Sequence, residues 1–188
     1  MNLAIIGSAG RREDGLKLNP VLYSEAANKV RDLAEELNAK LLISGGAAFA
    51  DHIAVRLNLT CCISLLLHLP APFKDGVFVE LESSRSETAR VANYYHNKFS
   101  NLCALDSLAE LSTAIRSGAK IVVTPGFKER NTKVAHDADA MIALTFGNKN
   151  RIKDGGTADT CRKYLSFGKK RLINIDLNTL IIYHDAIV

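Results

Sequence analysis

Short apolar runs rich in β-branched residues alternate along the chain with longer segments of helical periodicity. This alternation is typical of βαβ units, in which successive strands lie parallel in one sheet. Strands are predicted at Leu3–Ile6, Lys40–Ile43, Cys61–Leu67, Lys120–Val123, Ala140–Thr145 and Arg171–Ile175, with Leu180–Tyr183 as a candidate seventh, edge strand. Several runs are apolar on both faces, so we expect an α/β fold: a doubly wound, mostly parallel sheet of about six to seven strands with helices on both faces.

Helices are predicted between the strands wherever apolar residues recur at helical spacing. They cover Val21–Leu37, Ala50–Leu57, Glu87–Phe99, Ser107–Ser117, Arg130–Asp137 and Thr157–Phe167. The interval Pro70–Ser86 has no clear period and is interpreted as a long surface connection. Loops of that length are either plain linkers or cover a bound molecule, and both alternatives stay open.

The size of the chain predicts a single domain spanning residues 1–188. With 188 residues, 47% of them hydrophobic, folding can bury one sizeable core without a disulfide or a structural metal. Apolar runs are far shorter than the roughly 20 residues of a membrane-spanning helix, and the N-terminus lacks the pattern of a secretory signal. We therefore expect a cytoplasmic protein without a membrane partner. The four cysteines show no CxxC spacing and are predicted to be buried thiols.

Charge and motifs narrow the classes of ligand. A formal net charge of +4 suits an anionic ligand without demanding one. The histidines lack the spacing of metal ligands, so neither a metal nor a cofactor is predicted. The Walker, GxGxxG and GxSxG patterns are absent from the sequence, which argues against a P-loop ATPase, an ordinary dinucleotide-binding enzyme and a serine hydrolase.

Three glycine-containing turns lie beside predicted strands or helices. Gly7-Ser8 follows the first strand, Ser44-Gly45-Gly46 follows the second, and Gly155-Gly156-Thr157 precedes the last helix. The carboxyl ends of neighbouring parallel strands form one edge of a sheet, so we expect the first two turns to face the same side. Glycine lets backbone N–H groups approach a ligand closely, and a helix N-terminus attracts phosphate. The alternative is that these are ordinary turns and helix caps.

Two charged residues near the turns are further candidates. Asp51 lies at the start of a predicted helix, where it serves either as the N-cap or as a partner for a ribose hydroxyl or a base. Arg130 begins another predicted helix, although the helix dipole opposes a cation there. An anion should therefore compensate Arg130, and it is either Glu129 or Glu25 in a salt bridge or the phosphate of a ligand.

Taken together, four segments resemble the SLOG superfamily of Rossmann-like nucleotide-binding proteins. The segments are Gly7-Ser8, Ser44 to Asp51, Arg130-Asn131 and Gly155-Gly156-Thr157, and the resemblance covers most of the chain. This superfamily includes the Lonely Guy phosphoribohydrolases, the DNA-processing protein A domain and molybdenum-cofactor-carrier-like proteins.

The resemblance implies that a nucleotide lies across the strand ends. Its phosphate would bind Gly155, Gly156 and Thr157, and the Ser44-Gly45-Gly46 turn would border the sugar and the phosphate. Arg130 matches the arginine that the phosphoribohydrolases place beside the scissile glycosidic bond. The remaining binding candidates are Gly7, Ser8, Asp51 and Asn131.

The chain departs from the phosphoribohydrolases at their catalytic glutamate, because Thr160 stands at that position. Asp159 is one residue earlier and points about 100° away on an ideal helix. N-glycosidic hydrolysis with Arg130 and Asp159 as catalytic residues is therefore one alternative. The others are loss of this activity, or a different activity that uses Asp51, Glu82 or Glu87.

Two functions of other classes stay open. The sequence from Ser44 to Ala54 is closer to the turn of the DNA-processing protein A domain, which suggests a non-catalytic module for single-stranded nucleic acid. The third hypothesis is a nucleotide sensor that controls self-association, and dimerisation is common among such folds. We accordingly expect a homo-oligomer.

Overall fold

Six parallel strands form one sheet in the computed structural model, which describes residues 1–81, 87–147, 152–153 and 155–180. The strands are β1 (Asn2–Gly7), β2 (Leu41–Ser44), β3 (Ser64–Leu69), β6 (Lys120–Val123), β7 (Ala140–Thr145) and β8 (Leu172–Asp176). Their order across the sheet is β6-β3-β2-β1-β7-β8. Two further strands, β4 (Phe73–Lys74) and β5 (Val77–Phe78), form a separate antiparallel hairpin.

Within the described residues, six α-helices and one 3-10 helix connect these strands. The α-helices are α1 (Pro20–Glu36), α2 (His52–Cys61), α3 (Thr88–Cys103), α4 (Ser107–Arg116), α5 (Phe127–Asp137) and α6 (Gly156–Ser166), and the 3-10 helix covers Arg12–Lys17. Asn19 caps α1, because its side chain accepts a hydrogen bond from the Leu22 backbone N–H at 2.9 Å.

The sheet is covered on both faces because the side chains of its central strand are apolar on both faces. In β1, Leu3 and Ile5 join the core formed with α1, α2, α3 and α4, whereas Ala4 and Ile6 join the core formed with α5 and α6. All four side chains are at most 3% exposed. The predicted fold class is thereby confirmed as a doubly wound, Rossmann-like α/β fold.

The strand order reverses at β1. From β1 the chain first adds β2, β3 and β6 on one side, and then returns to add β7 and β8 on the other. The crossovers on the two sides of such a point separate, and this leaves a crevice at the carboxyl ends of the two central strands. In this protein the crevice lies between the ends of β1 and β7.

The predicted start of the third strand was wrong. Cys61 ends α2 and Cys62 adopts a left-handed conformation with φ +55°, so β3 begins only at Ser64. The prediction that all four cysteines are buried was wrong for the same reason, because both of these thiols are exposed. At the C-terminus Leu180 is helical, and residues 181–183 of the candidate edge strand lie outside the described residues.

The predicted surface connection from Pro70 to Ser86 contains the β4–β5 hairpin, which the absence of a clear period had concealed. Residues 82–86 of this interval lie outside the described part of the chain. The hairpin loop, Asp75-Gly76, borders a groove against α4 instead of the crevice between β1 and β7.

Candidate functional site

A cavity of about 880 Å³ lies at the carboxyl ends of β1 and β7. Its wall is formed by the end of β1 with the loop after it, by α3, by the first turns of α5 and α6, and by the last residue of β7. The volume is in the range of pockets that bind small molecules.

A buried ion pair between Asp51 and Arg130 closes the inner side of the cavity. Arg130 Nη1 donates a hydrogen bond to Asp51 Oδ2 at 3.1 Å, and the Gly7 backbone N–H donates to Asp51 Oδ1 at 3.0 Å. Asp51 is 3% exposed and Arg130 is 7% exposed. The Asp51 carboxylate therefore joins the end of β1 to α5.

The environment of this pair disfavours both charges. Burial raises the pKa of Asp51, although the Arg130 charge and the Gly7 N–H act in the opposite direction. Burial likewise lowers the pKa of Arg130, against the effect of Asp51. Each ion consequently depends on the other to remain charged.

The structure answers the two questions that the sequence left open for these residues. Asp51 precedes α2 but makes no capping hydrogen bond with its side chain. Arg130 is not the first residue of its helix, because α5 begins at Phe127. The anion that compensates Arg130 is Asp51, which is 79 residues away in the sequence, and not the nearby Glu129 or Glu25.

The Ser44-Gly45-Gly46 turn lies behind the ion pair and supports it. The Arg130 guanidinium covers Gly45 so closely that a Cβ atom there would lie 1.2 Å from Nη1. Ser44 Oγ donates to the Asp51 carbonyl oxygen at 2.8 Å and accepts from the Gly46 N–H at 3.1 Å. The turn therefore positions Asp51 and Arg130, and its predicted place beside a ligand stays a prediction.

Two buried polar atoms of cavity-lining residues have no hydrogen-bond partner among the described residues. They are the Thr145 hydroxyl oxygen, in a residue that is 3% exposed, and Arg130 Nε. An unpaired buried polar group costs free energy, so such atoms are rare in folded proteins. A ligand with hydroxyl or oxyanion groups would supply the missing partners.

The N-terminus of α6 opens onto the cavity without a capping side chain. Gly155 occupies the N-cap position with φ +135°, and Gly156 and Thr157 follow on the cavity wall. The first amides of a helix lack partners within the helix and carry a partial positive charge. The end of α6 therefore has the features of an anion-binding site.

Asp159 also lies on the cavity wall, in the first turn of α6. Its Oδ2 accepts hydrogen bonds from Lys163 Nζ at 2.8 Å and from Asn131 Nδ2 at 3.2 Å. Burial raises the pKa of Asp159, but these hydrogen bonds and the nearby positive charges more than offset that effect and hold the pKa below its ordinary value. Asp159 is accordingly an anion at neutral pH, whereas the Thr160 hydroxyl donates to the Gly156 carbonyl oxygen at 2.9 Å.

Positive charge exceeds negative charge around the cavity. The lining includes six basic side chains, those of Arg11, Arg12, Lys128, Arg130, Lys153 and Arg162, but only three carboxylates, those of Asp14, Asp51 and Asp159. Lys153 Nζ donates to Asp14 Oδ1 at 2.7 Å, and Ser8 Oγ donates to Asp14 Oδ2 at 3.4 Å. The surplus of cations favours an anionic ligand.

The comparisons with known proteins give one family relationship. No profile of a known protein family matches the chain. The chain is 33% identical over 185 residues to uncharacterized protein R261 of Acanthamoeba polyphaga mimivirus, and the match covers 94% of this chain and 97% of R261. The chain belongs to the R261 family.

A solved structure is also similar. It is the X-ray structure of DNA processing protein A (DprA) from Streptococcus pneumoniae, with 16% sequence identity and a TM-score of 0.43. The match covers 97% of this chain and 56% of the DprA chain, so the chain spans about half the length of that protein.

The structure of this R261-family member brings most of the predicted site residues together. Gly7, Ser8, Asp51, Arg130, Asn131, Gly155, Gly156, Thr157 and Asp159 line the cavity, whereas Ser44, Gly45 and Gly46 lie behind the ion pair. Of the other carboxylates considered, Glu87 pairs with Arg90 at the surface, and Glu82 lies outside the described residues.

Several residues that line the R261-family cavity were not predicted, among them Thr145, Arg11, Tyr95 and Phe127. Thr145 could have been found as the polar last residue of an apolar strand, and Arg11 as a basic residue beside the first glycine turn. The sequence alone could not assign Tyr95 and Phe127 to the cavity, because their positions depend on how α3 and α5 pack.

Within the residues that the structure describes, His, Cys, Asp and Glu form no group of three that could hold a metal ion. The helices in this same part of the chain are also too short or too polar to cross a membrane.

Proposed function

We propose that the protein binds a small phosphorylated molecule of the nucleotide class in the cavity between β1 and β7. The observation that carries this proposal is the pair of unpartnered buried atoms, Thr145 Oγ1 and Arg130 Nε, on the wall of a basic cavity. Atoms of this kind suit a ligand that supplies both hydroxyl and oxyanion groups, as a sugar phosphate does.

The phosphate is placed at the N-terminus of α6. Gly156 and Thr157 offer backbone amides there, and the absence of a capping side chain at Gly155 leaves this end of the helix accessible. The sugar hydroxyls would then lie toward Thr145 and the inner ion pair, on the same cavity wall.

The cavity volume supports a small molecule over the alternative of single-stranded nucleic acid. About 880 Å³ accommodates one nucleotide, whereas binding to a strand relies on an extended basic groove with successive stacking platforms.

A finer proposal concerns the reaction. Hydrolysis of an N-glycosidic bond passes through an oxocarbenium-like centre, which an ionised carboxylate stabilises. Asp159 is a carboxylate on the cavity wall that is held in its charged form, so we assign this role to Asp159. Arg130 already donates to Asp51, so it is assigned the orientation of the sugar phosphate through its remaining donors.

Calorimetric titration with AMP, with ribose 5-phosphate and with a 20-nucleotide single-stranded DNA, each at two salt concentrations, tests the binding proposal. We expect saturable binding of AMP. The absence of heat with both small phosphates would overturn the proposal. DNA that binds more tightly than AMP, with an affinity that falls steeply as salt rises, would favour the nucleic-acid alternative.

Chromatographic assay for free base tests the finer proposal, with Asp159→Asn as the matched variant. Asparagine retains the size of the side chain and removes its charge. We expect the variant to bind AMP at least as tightly and to release no base. Equal release of free base by both proteins would show that Asp159 does not act in the reaction. Release of base by neither protein would show that the protein binds AMP without hydrolysing it.

A further inference from the structure

Three residues form a cation–π stack at the mouth of the cavity. The central carbon of the Arg11 guanidinium lies 5.2 Å from the centre of the Tyr95 ring and 5.8 Å from the centre of the Phe127 ring. Arg11 follows β1, Tyr95 lies in α3 and Phe127 is the first residue of α5, so three separate elements meet here. All three residues line the cavity.

The guanidinium of Arg11 is held only loosely. Arg11 is exposed, and among the described residues it has no carboxylate partner. A cation–π contact at an exposed position is weak, so the guanidinium can leave the two rings at little cost in free energy.

The Phe127 ring also lies close to a second cation. The guanidinium carbon of Arg130 is 6.0 Å from the centre of this ring. Burial lowers the pKa of Arg130, and the positive charge of Arg11 adds to the effect. Two like charges near one ring repel each other, and an anion bound between Arg11 and Arg130 would offset this repulsion.

We propose that Tyr95 and Phe127 form the nucleobase subsite of the cavity, in which a flat base takes the place that the Arg11 guanidinium now occupies. This inference rests on the proposed function. A guanidinium is planar and delocalised and stacks on aromatic rings much as a base does. The displaced Arg11 then pairs with the phosphate of the same ligand in a charge-assisted contact.

The nucleobase subsite restricts the class of ligand further than the phosphate site does. It requires a base, so a bare sugar phosphate should bind less tightly. Stacking between aromatic rings tolerates every base, because each base has a π face. We therefore expect AMP, GMP, CMP and UMP all to bind more tightly than ribose 5-phosphate.

The test compares the affinities for AMP and for ribose 5-phosphate in the native protein and in four variants. Tyr95→Leu and Phe127→Leu each remove one ring of the subsite, and Tyr95→Phe retains the ring. Phe167→Leu is the matched control, since Phe167 is 43% exposed and does not line the cavity.

We expect the native protein to bind AMP roughly ten-fold or more tightly than ribose 5-phosphate, as the loss of one stacked base predicts. Tyr95→Leu and Phe127→Leu should reduce this preference to about two-fold or less and leave ribose 5-phosphate binding unchanged. Tyr95→Phe and Phe167→Leu should retain the preference. The sequence contains no tryptophan, so hypochromism of AMP near 260 nm gives a second readout of stacking.

The outcomes separate the two proposals. Equal affinity for AMP and ribose 5-phosphate in the native protein would overturn the base subsite and leave the phosphate cavity intact. A preference for AMP that survives in both leucine variants would overturn it as well. Binding of neither compound would remove the phosphate cavity and the base subsite together.

Discussion

Replacing Thr145 by valine tests whether the unpaired hydroxyl is kept for a ligand. The side chain is 3% exposed and its oxygen has no partner within the described residues. Leaving such a group unpaired costs about 1–3 kcal/mol, and valine removes the hydroxyl while retaining nearly the same volume. We therefore expect Thr145→Val without ligand to be at least as stable as the native protein, with a gain of about 1 kcal/mol in the free energy of unfolding.

The affinity of Thr145→Val for AMP should fall, although its stability rises. One hydrogen bond between neutral groups contributes about 0.5–1.5 kcal/mol, so the valine variant should bind AMP about 2- to 12-fold less tightly. Urea unfolding without ligand and calorimetric titration with AMP measure the two effects separately. An opposite change of this kind is expected only of a group that is kept for binding.

Thr160→Val is the matched control, because Thr160 is also 3% exposed and also lines the cavity. Its hydroxyl is already satisfied by the Gly156 carbonyl oxygen at 2.9 Å, so this variant should lose about 1 kcal/mol of stability. The reasoning is refuted if Thr145→Val is destabilised as much as Thr160→Val, or if it binds AMP with native affinity.

Three further predictions concern stability. Gly7→Ala should unfold the protein or lower its free energy of unfolding by about 3 kcal/mol or more, because the new Cβ would lie 2.2 Å from a backbone oxygen of β7. Gly156→Ala is the control: its Cβ would have its nearest neighbour at 3.9 Å, so urea unfolding should show almost no change. Asp51→Asn should cost about 3–5 kcal/mol by the same measurement, since it leaves a buried guanidinium without its anion; a cost below about 1 kcal/mol would contradict this. Burial lowers the pKa of His52 to about 3 and of His96 to about 4, so below pH 6.5 the unfolded chain binds protons that the folded protein does not. Stability should accordingly fall by about 4 kcal/mol between pH 7 and pH 5, and a urea midpoint that is the same at both pH values would be inconsistent with buried neutral histidines.

The two histidines also show what local pattern does not reveal. His52 Nδ1 accepts from the Tyr23 hydroxyl at 2.9 Å, and His96 Nε2 donates to the Gly46 carbonyl oxygen at 3.0 Å. The first contact joins α1 to α2, and the second joins α3 to the turn behind the ion pair. The sequence identified the histidines only as residues without metal spacing, because their partners are 29 and 50 residues away.

Prediction from local periodicity was wrong where an apolar run is compatible with both a helix and a strand. The run from Cys61 to Leu67 was predicted as one strand, yet its first residue belongs to α2 and its second to the turn after that helix. Short apolar runs do not separate a buried helix end from a buried strand, because both bury the same side chains. The helix ends where Cys62 adopts the left-handed conformation, with φ +55°.

The sequence by itself determined the alternation of strands and helices, the parallel sheet and the glycine turns, because these depend on the spacing of apolar residues and on the conformations that glycine allows. The tertiary structure decided the pairing of Asp51 with Arg130, the unpaired hydroxyl of Thr145 and the cation–π contacts of Arg11 with two aromatic rings. The physical reason is that these contacts join residues far apart in the chain. Strand order and helix packing bring such residues together, and neither is encoded in the residues next to them.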